Sequence, residues 1–170
     1  TNNYDRSLRY YKEALKIFNQ HTAADSDFKN NQFEKKEFVR TLLRIGGNFQ
    51  LLGQNDSAKY YYKKIEDFPS LNGEIESIKA IAFSNMSGAY EIDSIYDKAE
   101  YYARKSIAIH SKRGERNYQA SALNNLGNLF LSQKKYKKSK DIYLQGINLV
   151  QNDNSEEGVR NKATLYYNLA

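Results

Sequence analysis

The chain has 170 residues, of which 40% are hydrophobic and 27% are charged, and it contains a single proline and no cysteine. This length is enough to bury one sizeable core, and the lack of cysteine excludes a disulfide framework, cysteine-ligated zinc and a thiol nucleophile. The 26 basic residues outnumber the 20 acidic ones, and the net charge of +6 favours acidic partners without requiring nucleic acid.

The chain opens with a segment of helical periodicity. Tyr4, Ser7, Tyr11 and Ala14 recur at three- and four-residue steps, which is typical of one face of a helix. We predict that residues 1–20 form the second helix of a truncated repeat whose first helix is missing. The polar stretch from His21 to about Gln32 is expected to be a long connection.

Three later segments are copies of one unit with a period of about 40 residues. They align with each other at 42–65, 83–107 and 123–147. In each segment a large apolar residue is followed at once by a small one, at Ile45-Gly46, Met86-Ser87 and Leu126-Gly127. We predict complete repeats over 33–67, 74–112 and 115–151, followed by the first helix of a further repeat over 156–170.

Each unit is predicted to be a pair of antiparallel helices joined by a short polar turn. Two helices approach within roughly 8 to 10 Å only where a small side chain admits a bulky neighbour. Gly46 and Gly127 would supply the space on the first helix, and Tyr62 and Tyr143 the bulky side chains on the second. Since one such hairpin cannot bury its apolar face alone, the hairpins are expected to stack.

In this register the segments resemble the tetratricopeptide repeat, and the resemblance covers nearly the whole chain. It implies an all-α fold, a right-handed superhelix of antiparallel helix pairs of the α-solenoid type. Two features depart from the family pattern: the period exceeds the common value of roughly 34 residues, and no tryptophan occupies the opening aromatic position. Arrays with this longer period resemble the sensory parts of bacterial histidine kinases and transcriptional regulators, which implies a sensor segment of a larger signalling protein.

The resemblance also implies where a ligand would bind, because the first helices line the concave face of such arrays. The polar and aromatic residues predicted on that face are Arg40, Arg44, Gln50, Ser84, Asn85, Glu91, Asn124, Asn125, Asn128, Tyr167 and Asn168. Three of them directly precede a Leu-Gly-like step and are expected to form a ladder, namely Asn85, Asn125 and Asn168.

An asparagine amide both donates and accepts hydrogen bonds, so a ladder of them could pair with the backbone of an extended peptide. Several peptide-binding members of the family use asparagines at that position. The alternative is that asparagine is only a tolerated polar residue on a wet surface.

Two basic features remain open to more than one interpretation. Arg40 and Arg44, one helical turn apart, could clamp a carboxylate or phosphate, or could pair with acids of the chain itself. The lysines of the sequence KKYKKSK at 134–140 could contact nucleic acid, anionic lipid or an acidic partner. The sequence favours a solvated surface there, because aromatic platforms or a groove-entering helix are not evident.

The sequence carries no Gly-rich phosphate loop, HExxH or GxSxG motif, and His110 is expected late in a helix, where a cation is favourable. We therefore predict a non-enzymatic module, without cofactor or metal, that binds a segment of a protein or peptide. An acidic segment is one of the possible partners. No nucleic acid or membrane contact is expected of this segment. The alternative is a structural scaffold that forms homo-oligomers and leaves its groove empty. The first residue is Thr1, and the sequence does not decide between a cytoplasmic and a periplasmic location.

Overall fold

The computed structural model describes residues 2–24, 32–69 and 73–170. Helices provide all the regular secondary structure over these residues. In chain order they are α1 (Asn2–Ala24), α2 (Gln32–Leu51), α3 (Asn55–Asp67), α4 (Gly73–Ile92), α5 (Tyr96–Lys112), α6 (Arg116–Ser132), α7 (Tyr136–Val150) and α8 (Glu156–Leu169). The all-α prediction is therefore confirmed for the described part of the chain.

The chain divides into two compact units, and the division falls inside α4. Unit 1 ends at Asn85, and in it α1 packs against α2 and α2 packs against α3. Unit 2 begins at Met86, and in it each helix from α5 to α8 packs against the next one, while α6 also packs against α8. Contact between every second helix is what stacked helical hairpins produce.

The short turns between consecutive helices share one hydrogen-bonding pattern. At four of these turns, those after α2, α4, α5 and α6, a residue with positive φ follows the helix: Gly53 (73°), Ser94 (59°), Gly114 (69°) and Lys134 (60°). The amide of the following residue donates to a carbonyl five residues earlier, as in Lys135 N to Phe130 O at 2.9 Å. This is the Schellman pattern, which satisfies carbonyl groups that the helix end leaves unpaired. Glycine is the favoured residue at such a position, so Ser94 and Lys134 adopt it at some conformational cost.

The prediction that a long connection begins at His21 is wrong. The first helix continues to Ala24, so His21 lies within α1. Ala23 and Ala24 have high helix propensity, and neither glycine nor proline interrupts residues 2–24, so the polar composition there does not end the helix. The rest of the predicted connection, residues 25–31, lies outside the described residues.

Small residues on the first helices are buried beneath tyrosine rings of the second helices. A Cβ atom built on Gly46 would lie 2.5 Å from Cε1 of Tyr62, and one built on Gly127 would overlap the ring of Tyr143. Both tyrosines are almost completely buried. Ser87, the small residue of the middle repeat, is buried as well. The packing proposed from the sequence is therefore present in each unit.

Two buried serines differ in how their hydroxyl groups are satisfied. Ser139 Oγ donates to the carbonyl of Gly127 at 2.9 Å and so ties α7 to α6. Ser106 is completely buried in α5, and its hydroxyl has no hydrogen-bond partner among the described residues. In the repeat register Ser106 occupies the place of Ile65 and Gly146. A buried hydroxyl without a partner carries an uncompensated desolvation cost.

Adjacent glycines of α2 provide a test of the tyrosine packing. Gly46→Ala should lower the free energy of unfolding by about 1 to 3 kcal/mol, because the methyl group forces the Tyr62 ring to move. Gly47→Ala should raise it by roughly 0.5 to 1 kcal/mol, because the nearest side-chain atom lies 4.0 Å from the new Cβ and alanine favours the helix. Urea unfolding followed by circular dichroism measures both. Equal effects would show that the ring does not depend on a glycine at position 46.

The two buried serines should respond to alanine with opposite signs. Ser106→Ala removes an unsatisfied hydroxyl and should raise the free energy of unfolding by about 1 kcal/mol, whereas Ser139→Ala removes a hydrogen bond and should lower it by a similar amount. The two substitutions are chemically identical, so each is the control for the other in thermal unfolding. A loss of stability in the Ser106 variant would contradict the assignment of its hydroxyl as unsatisfied.

Candidate functional site

The eleven residues predicted to bind a ligand all lie on α2, α4, α6 or α8, the first helices of the predicted repeats. Arg40, Arg44, Asn125 and Tyr167 are exposed, and Tyr167 is the most open of them at 83%. The other seven are half-buried. The residues through Asn85 belong to unit 1 and the later ones to unit 2, so each unit presents its own set of polar groups.

In unit 1 the two arginines interact with separate partners. Arg40 forms an ion pair with Glu37 of the same helix, with Nη1 and Oε1 3.1 Å apart. Arg44 donates from Nη1 to the hydroxyl of Tyr11 at 3.1 Å, and its guanidinium carbon lies 5.7 Å from the centroid of that ring. A carboxylate clamp at these positions would have to replace both contacts.

A tyrosine connects the core of unit 1 to the polar side of α2. Tyr62 Oη donates to Oε1 of Gln50 at 2.9 Å, and Gln50 Nε2 donates to the carbonyl of Asn85 at 3.3 Å. Burial raises the pKa of Tyr62 to about 12, with the side-chain hydrogen bond to Asn85 acting in the opposite direction. Tyr62 is therefore a neutral hydrogen-bond donor at physiological pH, and Gln50 holds α2, α3 and α4 together within this unit.

Unit 2 repeats this arrangement with a different acceptor. Tyr143 Oη donates to Oδ1 of Asn128 at 2.5 Å, and Asn128 directly follows the glycine that the ring covers. In unit 1 the corresponding position is Gly47, which has no side chain, so Tyr62 uses Gln50 one turn further along. Asn128 and Gln50 are thus engaged by the core of their own units.

Four asparagines form a seam between α6 and α8, and we call them the asparagine seam. Asn161 Nδ2 donates to the carbonyl of Asn117 at 3.1 Å, and Asn168 Nδ2 donates to Oδ1 of Asn124 at 2.8 Å. Both pairs are 44 residues apart in sequence, and the two pairs follow each other after seven residues in each helix, so α6 and α8 run parallel. Asn168, predicted to meet a peptide, is instead bonded to the neighbouring first helix.

The start of α8 is fixed to the same seam. Asn117 Nδ2 donates to Asp153 Oδ2 at 2.8 Å, and Asp153 Oδ1 accepts from the backbone amide of Ser155 at 2.8 Å. Hydrogen bonds from Ser155 and then Asn117 hold the pKa of Asp153 below its usual range. Ser155 caps α8 by accepting from the amide of Gly158 at 3.1 Å.

The seam separates the core side of the α6–α8 pair from an open side. In two parallel helices, residues one position after the seam on one helix and one position before it on the other point to the same side, since each step turns by about 100°. On the open side lie exposed residues that we call the first-helix face of unit 2: Tyr118, Ser121 and Asn125 of α6, with Arg160, Thr164 and Tyr167 of α8. On the other side lie buried residues such as Leu123 and Leu165.

Sequence reasoning placed Asn125 and Tyr167 on this face but missed its other four members. It also missed Asn117 and Asn161 of the seam. The available signal was the shared seven-residue spacing of asparagines, 117 to 124 and 161 to 168, which marks one line along each helix. The glycine and leucine pattern used to align the repeats does not report that spacing.

His110 is buried near the end of α5. The residue is 3% exposed, Nδ1 lies 2.7 Å from Oε2 of Glu115, and the ring stacks on Tyr118 with centroids 5.4 Å apart. Glu115 also accepts from Arg113 Nε at 2.8 Å. These contacts join α5 to the start of α6. Within the described residues no cluster of three histidine, cysteine, aspartate or glutamate side chains could hold a metal ion.

The sequence matches the tetratricopeptide repeat family over residues 79–152. This segment extends from Lys79 in α4 past the end of α7, so it covers most of the predicted repeat 74–112 and all of the predicted repeat 115–151. None of the curated protein sequences with which the chain was compared is a significant match.

Several solved structures share the fold at low sequence identity. The apo form of the quorum sensor NprR from B. thuringiensis superimposes with a TM-score of 0.72 at 16% identity, over 95% of this chain but only 41% of that protein. BtubC (BKLC) from P. vanneervenii gives a TM-score of 0.63 at 14% identity, over 97% of this chain and 84% of that one. A protein from Podosopora anserina with nearly identical TPR-like repeats gives 0.58 at 11% identity, over 98% and 82% of the two chains.

These structural similarities establish the fold of the chain. They do not transfer the functions of those proteins to it, because sequence identities below a fifth do not carry function. None of the helices over the described residues has the length and apolarity needed to cross a bilayer. The chain has the helical-repeat fold of these structures, and its residues 79–152 match the tetratricopeptide repeat model.

Proposed function

We propose that this chain is a non-enzymatic module that binds a segment of another protein on the exposed sides of its first helices. Repeats of this family generally serve as protein-interaction modules. The observation that carries the proposal is the first-helix face of unit 2, where aromatic and amide side chains are exposed together on two parallel helices. Tyrosine and asparagine are suited to such a surface, because they combine contact area with adaptable hydrogen bonds.

The face of unit 2 fits an extended peptide better than a compact ligand. Neighbouring packed helices lie on the order of 10 Å apart, and an extended chain advances about 3.3 Å per residue, so roughly three peptide residues span from α6 to α8. Asn125 would supply donor and acceptor groups for the peptide backbone on α6, and Tyr167 would supply an exposed ring on α8. Asn85 remains a candidate for unit 1, where its side chain already interacts with Tyr62.

The wider role that we propose is the sensory or interaction part of a larger bacterial signalling or regulatory protein. The long repeat period and the likeness to NprR, a quorum sensor, support this proposal. The chain spans 41% of the length of NprR, so in this proposal an effector function would reside outside these 170 residues. The proposed partner is a protein or peptide.

Selection from a random peptide library displayed on phage would test the proposal with the intact 170-residue chain. We expect enriched peptides whose affinity, measured by fluorescence anisotropy, falls about fivefold in Asn125→Ala, the effect of losing roughly one hydrogen bond. Asn148→Ala is the matched control, because Asn148 is equally exposed but lies on α7, a second helix. Circular dichroism would verify that both variants remain folded.

The opposite result would favour the structural scaffold. In that case no peptide is enriched, or the Asn125 and Asn148 variants bind enriched peptides equally well. The scaffold hypothesis instead predicts a change of oligomer size on altering the terminal helix α8, for example by Tyr166→Glu, because Tyr166 is 56% exposed there. Light scattering at several protein concentrations would detect that change.

A further inference from the structure

The turn between α6 and α7 carries an uncompensated positive charge. Lys134, Lys135, Lys137, Lys138 and Lys140, which we call the lysine turn, are all exposed. None of their ammonium groups pairs with a carboxylate of the described chain. Lys135 instead donates to Gln133 at 2.5 Å, and Lys135 and Lys138 lie 6.0 and 5.5 Å from the centroid of the Phe130 ring.

Several exposed basic residues elsewhere in the chain form ion pairs. Within one or two turns of their own helices, ion pairs join Lys16 to Glu13, Lys63 to Glu66, Arg104 to Glu100 and Arg160 to Glu156, at 2.7 to 3.4 Å. The lysine turn has only Asp141 beside it in sequence. Its charge is therefore open to an external anion.

The repeat packing does not require these lysines. In the two earlier repeats, the corresponding residues 53–59 contain one lysine and one acidic residue, and residues 94–100 contain one lysine and two acidic residues. Their helices start with Asp56 and Asp97 in the first turn, whereas α7 has no acidic residue there and Lys137 takes the corresponding position. A cation at a helix N-terminus is unfavourable, because it faces the positive end of the helix dipole.

The backbone of the turn also favours a residue other than lysine. Lys134 holds φ at 60°, the left-handed conformation that Gly53 supplies in the first repeat. Lysine is thus present at this position despite the backbone preference and despite the helix dipole. Both costs would be offset if an anionic partner bound the side chains.

We infer that the lysine turn is a docking surface for an acidic segment of a partner protein. This inference rests on the proposed protein-binding function and names the charge of the partner. Four of the five lysines lie in or next to the first two turns of α7, so they cover about 8 Å along its axis, a little more than the length of two extended peptide residues. Tyr136 and Leu131, 63% and 42% exposed beside the lysines, add apolar contact area.

The composition of the turn favours carboxylates over a nucleic acid. Binding of single strands uses several aromatic platforms along a basic groove, whereas this turn has one exposed ring and its lysines surround a helix end. Arg40 and Arg44, the other candidates for binding an acid, already have Glu37 and Tyr11 as partners.

A dye-labelled octaglutamate peptide is the probe for a direct test with the full 170-residue chain. We expect saturable binding that weakens with added salt and falls about tenfold in the triple variant Lys134→Gln, Lys137→Gln, Lys140→Gln, since each exposed ion pair is worth a factor of roughly two to three. Lys135 and Lys138 are kept because they contact Phe130. The charge-matched control is Lys16→Gln, Lys112→Gln, Arg116→Gln, three exposed sites outside the turn, which should change affinity less than threefold.

Equal losses in the two triple variants would overturn the inference, because they would show attraction to net charge alone. So would absent binding of octaglutamate, or tighter and lysine-turn-dependent binding of oligothymidine or of phosphatidylserine vesicles. The Asn125→Ala variant separates this failure from that of the proposed function, since its effect is measured on library-selected peptides. Loss of octaglutamate binding only in the first triple variant supports the docking surface whether or not Asn125 contributes.

Discussion

The packing of a tyrosine ring over a helical glycine is the contact on which the rest of each unit depends. Tyr62 covers Gly46 in unit 1, and Tyr143 covers Gly127 in unit 2. Because each ring passes across the first helix at its narrowest point, its hydroxyl emerges beside that helix's polar residues and donates to Gln50 or Asn128. The position of the buried tyrosine therefore determines which polar side chain of the first helix forms a hydrogen bond with the core.

The asparagine seam makes a second division of the polar residues. Amides in the seam satisfy each other, so a line of polar groups can be half-buried between α6 and α8 without the penalty of unpaired donors. Residues one step to the open side of the seam are exposed. A helix with asparagines at 124 and 125 thus uses adjacent identical residues differently, one to join helices and one to face solvent.

The sequence predicted an all-α fold because packing imposes a strict register of large and small residues. Gly46, Ser87 and Gly127 are buried as expected, and helices are the regular secondary structure of the described residues. Side-chain partners between helices were not predicted, since they depend on the rotation of one helix against another. For this reason Asn168 was assigned to a peptide ladder although it bonds to Asn124. The extent of α1 past His21 was missed because polar composition does not by itself end a helix.

The middle repeat packs differently from the other two. Ala103 stands in the register of Tyr62 and Tyr143, so this repeat lacks the ring that fills the others. Tyr102 stacks instead on Tyr90 with centroids 5.6 Å apart and planes within 2° of parallel. Ala103 and Tyr102 are buried, since α6 packs on the other side of α5. Because stability in a repeat array is shared between neighbours, a hairpin with a weaker internal contact can persist when the next hairpin covers it.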